Sequence, residues 1–194
     1  MRQSLASVLL VACGPAHVFH KDPERGCAEI ALAGPEDVAA AAGCRTVDSI
    51  TLRTGMALDL KPLARLETVR GALSVGPSVG LSEVSLPRLR HAGAIRIVAN
   101  GDLHGVYLPV LEDAAAFEID GNHQLSTIAA PKLAAVAGSF AITSNAALEV
   151  LNVAALAKVG QATVTNNPKL TLIDSKVPAL VPPPPIVEPV PQPP

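Results

Sequence analysis

The sequence predicts an all-β protein, a parallel β-helix (β-solenoid) wound in coils of 22–23 residues. Three observations carry this reading. Short apolar alternations recur as Ile50-Thr-Leu52, Leu73-Ser-Val75, Ile95-Arg-Ile97, Phe117-Glu-Ile119, Phe140-Ala-Ile142 and Ala162-Thr-Val164. Their starts are 23, 22, 22, 23 and 22 residues apart. A leucine follows eight residues after each start, at Leu58, Leu81, Leu103, Leu125, Leu148 and Leu170. Five residues after each start stand Gly55, Ser78, Asn100, Asn122, Asn145 and Asn167, types that suit a sharp turn.

Each alternation has period two, so alternate side chains face inward, as in a strand. The leucine opens a second apolar stretch in each coil, such as Leu125-Ser-Thr-Ile128 or Leu148-Glu-Val-Leu151. Pro87-Arg-Leu89, Pro109-Val-Leu111 and Pro131-Lys-Leu133 then mark a corner, where no ladder N–H is needed, and Ala154-Ala-Leu156 keeps the place without its proline. No coil holds the long 3.6-residue pattern of a helix. One such coil cannot bury its own inner face, so coils must stack and share backbone edges. Asparagine tolerates a left-handed φ better than most residues, and stacked amides can donate to and accept from their neighbours. Asn100, Asn122, Asn145 and Asn167 are therefore expected to form an internal ladder. The stretches Gly55–Pro62 and Asp113–Ala116 fit the pattern least and are expected to be irregular.

Composition agrees with thin layers and narrows the function. The chain has 194 residues, 49% of them hydrophobic but only 2% aromatic, with no Trp. Its formal charge of −2 offers no basic field for nucleic acid, and few aromatics are available for stacking bases or sugars.

The N-terminus carries Arg2 and the apolar run Leu5–Ala12, too short to cross a bilayer as a helix. Leu10-Val-Ala-Cys13 resembles the lipobox of bacterial lipoproteins. That resemblance implies a signal peptide over 1–12, lipidation of Cys13 and a linker over 13–26. Gly14 after the cysteine implies the outer membrane rather than the inner; the alternative is a leader without such chemistry. In an exported chain the natural use of Cys27 and Cys44 is a disulfide, and a metal site has no companions at ligand spacing.

The repeats resemble the receptor L-domain family, most clearly over Phe140–Gly160 (FAITSNAALEVLNVAALAKVG) and Ala162–Ile173 (ATVTNNPKLTLI). This resemblance implies a right-handed, leucine-rich-repeat-like β-helix over 27–176. It also implies a capping module over 27–49, closed by a Cys27–Cys44 disulfide. There Ile30 and Leu32 would form a strand and Pro35–Ala41 a short helix, with proline in its first turn. The tail over 177–194 holds nine prolines and is expected to be extended or disordered, with Val177, Leu180 and Val181 as candidates to fold back over the last layer.

Two clusters invite a catalytic reading, Asp120-Gly-Asn-His123 and Asp102-Leu-His104. The columns assign them other places. Asp120 aligns with Val98, Thr143 and Thr165 on an outward strand position, and His123 aligns with Gly101 and Ala146 at a corner. No column forces three or four ligands onto one point, and no nucleophile elbow, P-loop or zinc-protease pair is present. Arg96 and Glu118 are expected to form a surface ion pair. The sequence is therefore read as a non-enzyme without cofactor or metal: an exported surface protein, lipid-anchored, binding or scaffolding a protein or glycan. The rival readings are a glycan-active β-helix enzyme and a structural spacer.

Overall fold

The computed structural model describes residues 21–22 and 26–180. Cys13, the leader over 1–12 and most of the 13–26 linker lie outside the described residues, as does the tail from Val181 onward. The chain is a parallel β-solenoid of about seven turns. Its strands are β1 (Lys21–Asp22), β2 (Gly26–Leu32), β3 (Thr46–Leu52), β4 (Thr68–Val75), β5 (Glu83–Ser85), β6 (His91–Val98), β7 (Gly105–Tyr107), β8 (Asp113–Asp120), β9 (Thr127–Ala129), β10 (Ala135–Thr143), β11 (Val150–Val153), β12 (Lys158–Thr165) and β13 (Leu172–Ser175).

Two sheets face each other across the core. The larger has the order β1-β2-β3-β4-β6-β8-β10-β12, and the smaller has the order β13-β11-β9-β7-β5. Every pairing is parallel except the short β1–β2 contact. The register is the repeat itself. Ile30, Ile50, Leu73, Ile95, Phe117, Phe140 and Ala162 are successive partners, as are Leu32, Leu52, Val75, Ile97, Ile119, Ile142 and Val164. The apolar period thus reaches one coil further toward the N-terminus than the six alternations. Inward residues are buried almost completely from Ile30 to Ile142, and Phe117 stacks on Phe140 with ring centroids 5.5 Å apart.

The corners follow from local chemistry. In each of three coils the proline sits at the second position of a turn closed by the leucine N–H: Leu89 to Leu86, Leu111 to Leu108 and Leu133 to Ala130. At the other corner the Asn residues keep ordinary φ, and the left-handed conformation belongs to the residue before each. These are Ala99, Gly121, Ser144 and Asn166, with φ between 55° and 67°. That turn lets the chain leave the large sheet while the following amide points inward.

Two further sequence expectations change. Gly55 does not occupy the turn column; the exposed glycine yields the place to buried Thr54, whose N–H donates to Ser78 Oγ at 3.1 Å. The first full coil turns one residue early because the Thr54 hydroxyl closes a local loop with the N–H and carbonyl of Met56. The stretch Asp113–Ala116 is regular strand within β8, paired without interruption to β6; register shifts fall instead in β4, between Val69 and Ala72, and in β10, between Val136 and Phe140. In β10 a nine-residue strand is matched to eight-residue neighbours on both sides. The other weak stretch, Gly55–Pro62, does depart from the pattern: it holds no strand and leads into a 3-10 turn over Lys61–Arg65.

Both ends carry covers. At the N-terminal end the helix α1 (Pro35–Ala41) packs against β2 and the 3-10 turn, burying Val38 and Ala41. Asp37 accepts the N–H groups of Ala33 and Gly34 at 2.9 and 3.0 Å, fixing the start of the helix. A disulfide joins Cys27 to Cys44, with Cα atoms 5.9 Å apart. At the far end a 3-10 turn over Pro178–Leu180 lies on β12 and β13; Leu180 is buried and Val177 half-buried against the core. Replacing Cys27→Ser should cost about 2–4 kcal/mol, because the closed loop constrains the unfolded chain. Chemical denaturation of wild type and variant measures it, and identical midpoints would show that the cap holds without the bond.

Candidate functional surface

The most ordered polar feature is interior. Asn100, Asn122 and Asn145 are buried, and Asn167 is partly covered in the last coil. The side-chain oxygen of each later Asn accepts two bonds from the one before it. Asn122 Oδ1 takes the Asn100 N–H (3.0 Å) and Nδ2 (2.9 Å); Asn145 Oδ1 takes the same pair from Asn122 (3.1 and 3.2 Å). Asn167 Oδ1 takes those of Asn145 at 3.0 and 3.3 Å. Each Nδ2 also reaches carbonyls, for example Asn122 to Ile97 (2.9 Å) and Asp120 (3.1 Å). The side chain thereby replaces ladder bonds that the strand loses at its corner. Asn100 Oδ1 is buried without a partner among the described residues; the preceding place in the column is held by Ser78, whose hydroxyl accepts from the Thr54 N–H.

The clusters that resemble catalytic groups do not converge. Asp120 is half-buried and accepts from the Thr143 hydroxyl in the next coil. His123 is exposed in the turn that Asn122 opens and the Leu125 N–H closes at 3.1 Å. Asp102 accepts the Gly80 N–H at 2.7 Å, and the exposed His104 receives the Ser126 hydroxyl on its backbone carbonyl at 3.0 Å. Among the described residues no three His, Cys, Asp or Glu side chains are placed to hold a metal ion, and no helix is long and apolar enough to cross a membrane.

The outer face of the large sheet is organised by charge. Arg96 Nε lies 3.2 Å from Glu118, the pair that the repeat register had suggested. Sequence reading missed its companions: Arg45–Glu67 (3.4 Å), Asp48–Arg70 (2.9 Å), His91–Asp113 (2.7 Å) and Arg90–Glu112. The signal was available, since each pair is 22 residues apart and sets a carboxylate against an Arg or His side chain, which places the partners side by side in adjacent coils. All are substantially exposed, so each is worth about 0–1 kcal/mol. They neutralise the face more than they stabilise it. Beyond β8 these charges give way to uncharged side chains: Ala135, Ala137 and Ala141 on β10, then Gln161, Thr163 and Thr165 on β12. Lys158, at the start of β12, is the remaining charge on those two strands.

No protein-family model matches the chain, and neither curated proteins nor solved structures give a significant match.

The two polar sets are separated by one experiment. Asn145→Ala should cost about 1–3 kcal/mol, since it orphans buried donors and acceptors in two coils. Asp120→Ala combined with His123→Ala should change stability by about 1 kcal/mol or less. Thermal unfolding of the variants measures both, and equal effects would mean that the amide column is no more structural than the surface corner.

Proposed function

We propose that the chain is an exported surface protein, anchored by a lipid on Cys13, that binds or scaffolds a protein or glycan partner through the outer face of its large sheet. The observation that carries this reading is the division of that face. In the earlier coils, four Arg–carboxylate pairs cancel charge between neighbouring coils. In β10 and β12, Ala, Ser and Thr side chains predominate beside the single Gln161 and leave a low surface on two strands held in register. A partner can approach such a surface closely, and little side-chain entropy is lost on contact. The lipobox-like Leu10-Val-Ala-Cys13 supports the anchor, and the likeness of the repeats to receptor L-domains supports a binding role over catalysis.

Metabolic labelling with palmitate should depend on Cys13, and incorporation that survives Cys13→Ser would remove the lipid from the account. A pull-down with the Cys13→Ser chain, with and without 177–194, should recover the same partner in both forms. The doubly substituted Ala137→Arg, Ala141→Arg chain should lose it. Retention by that variant would place the binding surface elsewhere.

A further inference from the structure

At the N-terminal end the small sheet stops two turns short of the large one, because the turns that hold β2 and β3 contribute no strand to it. Its edge strand is β5, and the coil before it supplies no partner. The cause is in the sequence: at the 24-residue interval that joins Thr54 to Ser78, the positions beside Glu83–Ser85 are Asp59, Leu60 and Lys61, with Pro62 next. Proline has no N–H for a ladder and favours the first turn of the 3-10 segment that forms there instead. A groove of about 520 Å³ lies between the two coils, with Ala57, Asp59 and Ala64 on one wall and Ser82, Glu83 and Ser85 on the other.

The β5 edge is open to this groove. In a parallel pair, a residue's N–H and C=O turn toward one neighbour and those of the next residue toward the other side. The Ser82 carbonyl accepts from His104 (2.9 Å) and the Leu86 N–H donates to Tyr107 (3.1 Å), so this parity belongs to β7. The N–H and C=O groups of Glu83 and Ser85 therefore face the groove. Among the described residues, backbone bonds join these two coils at Val79 to Thr54 and again at Arg90 to Glu67, with none between. Across the same interval the next two coils are joined by the β5–β7 pairing.

We infer that this edge is a docking site for one extended peptide strand of another protein, carrying Lys or Arg in alternation with small apolar residues. Two donors and two acceptors on Glu83 and Ser85 supply the ladder that β5 lacks on this side. Val84 is buried, so Glu83 and Ser85 point outward. A guest residue opposite Glu83 points outward too, and its neighbours point inward, to the side where Leu58 and Leu60 line the groove. The charge follows. Asp59 is paired with Lys61 at 3.6 Å, whereas Glu83 is exposed and has no ion-pair partner among the described residues. The site is distinct from the large-sheet face and does not depend on it.

The test uses the Cys13→Ser full chain and the capped peptides Ac-Val-X-Val-X-Val-NH2, with X as Lys, Ala or Glu, titrated by calorimetry with amide exchange read in parallel. The lysine peptide should bind saturably, about threefold tighter than the alanine peptide, and the glutamate peptide should bind most weakly. N-methylation of its ladder amides should cost about tenfold. Glu83→Lys should reverse the ranking, and exchange at Glu83 and Ser85 should slow on binding. Absence of saturable binding, or a ranking indifferent to Glu83→Lys, overturns the assignment. So does protection of Glu83 and Ser85 in the free chain, whether it is lost on dilution (a second copy) or on removal of residues 1–20 (the chain's own N-terminal segment).

Discussion

A single coil of this protein has no partner for its own backbone. Each strand offers N–H and C=O groups to both sides along the axis, and only another coil can take them. Everything else follows from that dependence: the period, the inward columns and the need for covers at both ends. It is strictest where a strand stops and turns, because the ladder breaks there while the chain is still buried. The asparagine column answers that break. Each amide stands in for the missing backbone bonds and does so toward two coils at once, so loss of one member disturbs three layers.

The same dependence organises the outside. Side chains stacked about 4.8 Å apart cannot avoid one another, so like charges in a column would repel at every step. Opposite signs in adjacent coils remove that cost, and the Arg–carboxylate pairs from Arg45 to Glu118 have this arrangement. In β10 and β12 the pairing charges are replaced by Ala, Thr and Gln, and the face changes from a neutralised mosaic to a low relief. The coil count and the surface texture are therefore separable properties of one backbone.

Much of the fold was legible because a parallel stack writes its register into the sequence as a constant interval. The columns from Leu73 to Val164 could be read residue by residue. What escaped was local. Nothing in the alphabet distinguished Thr54 from Gly55 as the turn residue, since the choice rests on a hydroxyl bonding to Met56 two positions on. The left-handed positions were hidden because only Gly121 among them is a glycine, while Ala99 and Ser144 are held there by neighbouring coils. The surface ion pairs and the open edge of β5 were legible in principle, through a 22-residue charge interval and through Pro62. They are fainter than the apolar columns because exposed side chains are not held to one residue type by burial.

The asparagine ladder also has a direction. Every bond between members runs from an earlier coil's N–H groups to a later coil's oxygen. Coils are therefore not interchangeable with their mirror order, and a duplicated coil fits between Asn122 and Asn145 only if it brings an amide in the same sense. Ser78 shows how such a series begins: it accepts from Thr54 but leaves Asn100 Oδ1 unanswered. The array is a polar sequence of modules with a defined first member, and lengthening it is a matter of inserting after that member.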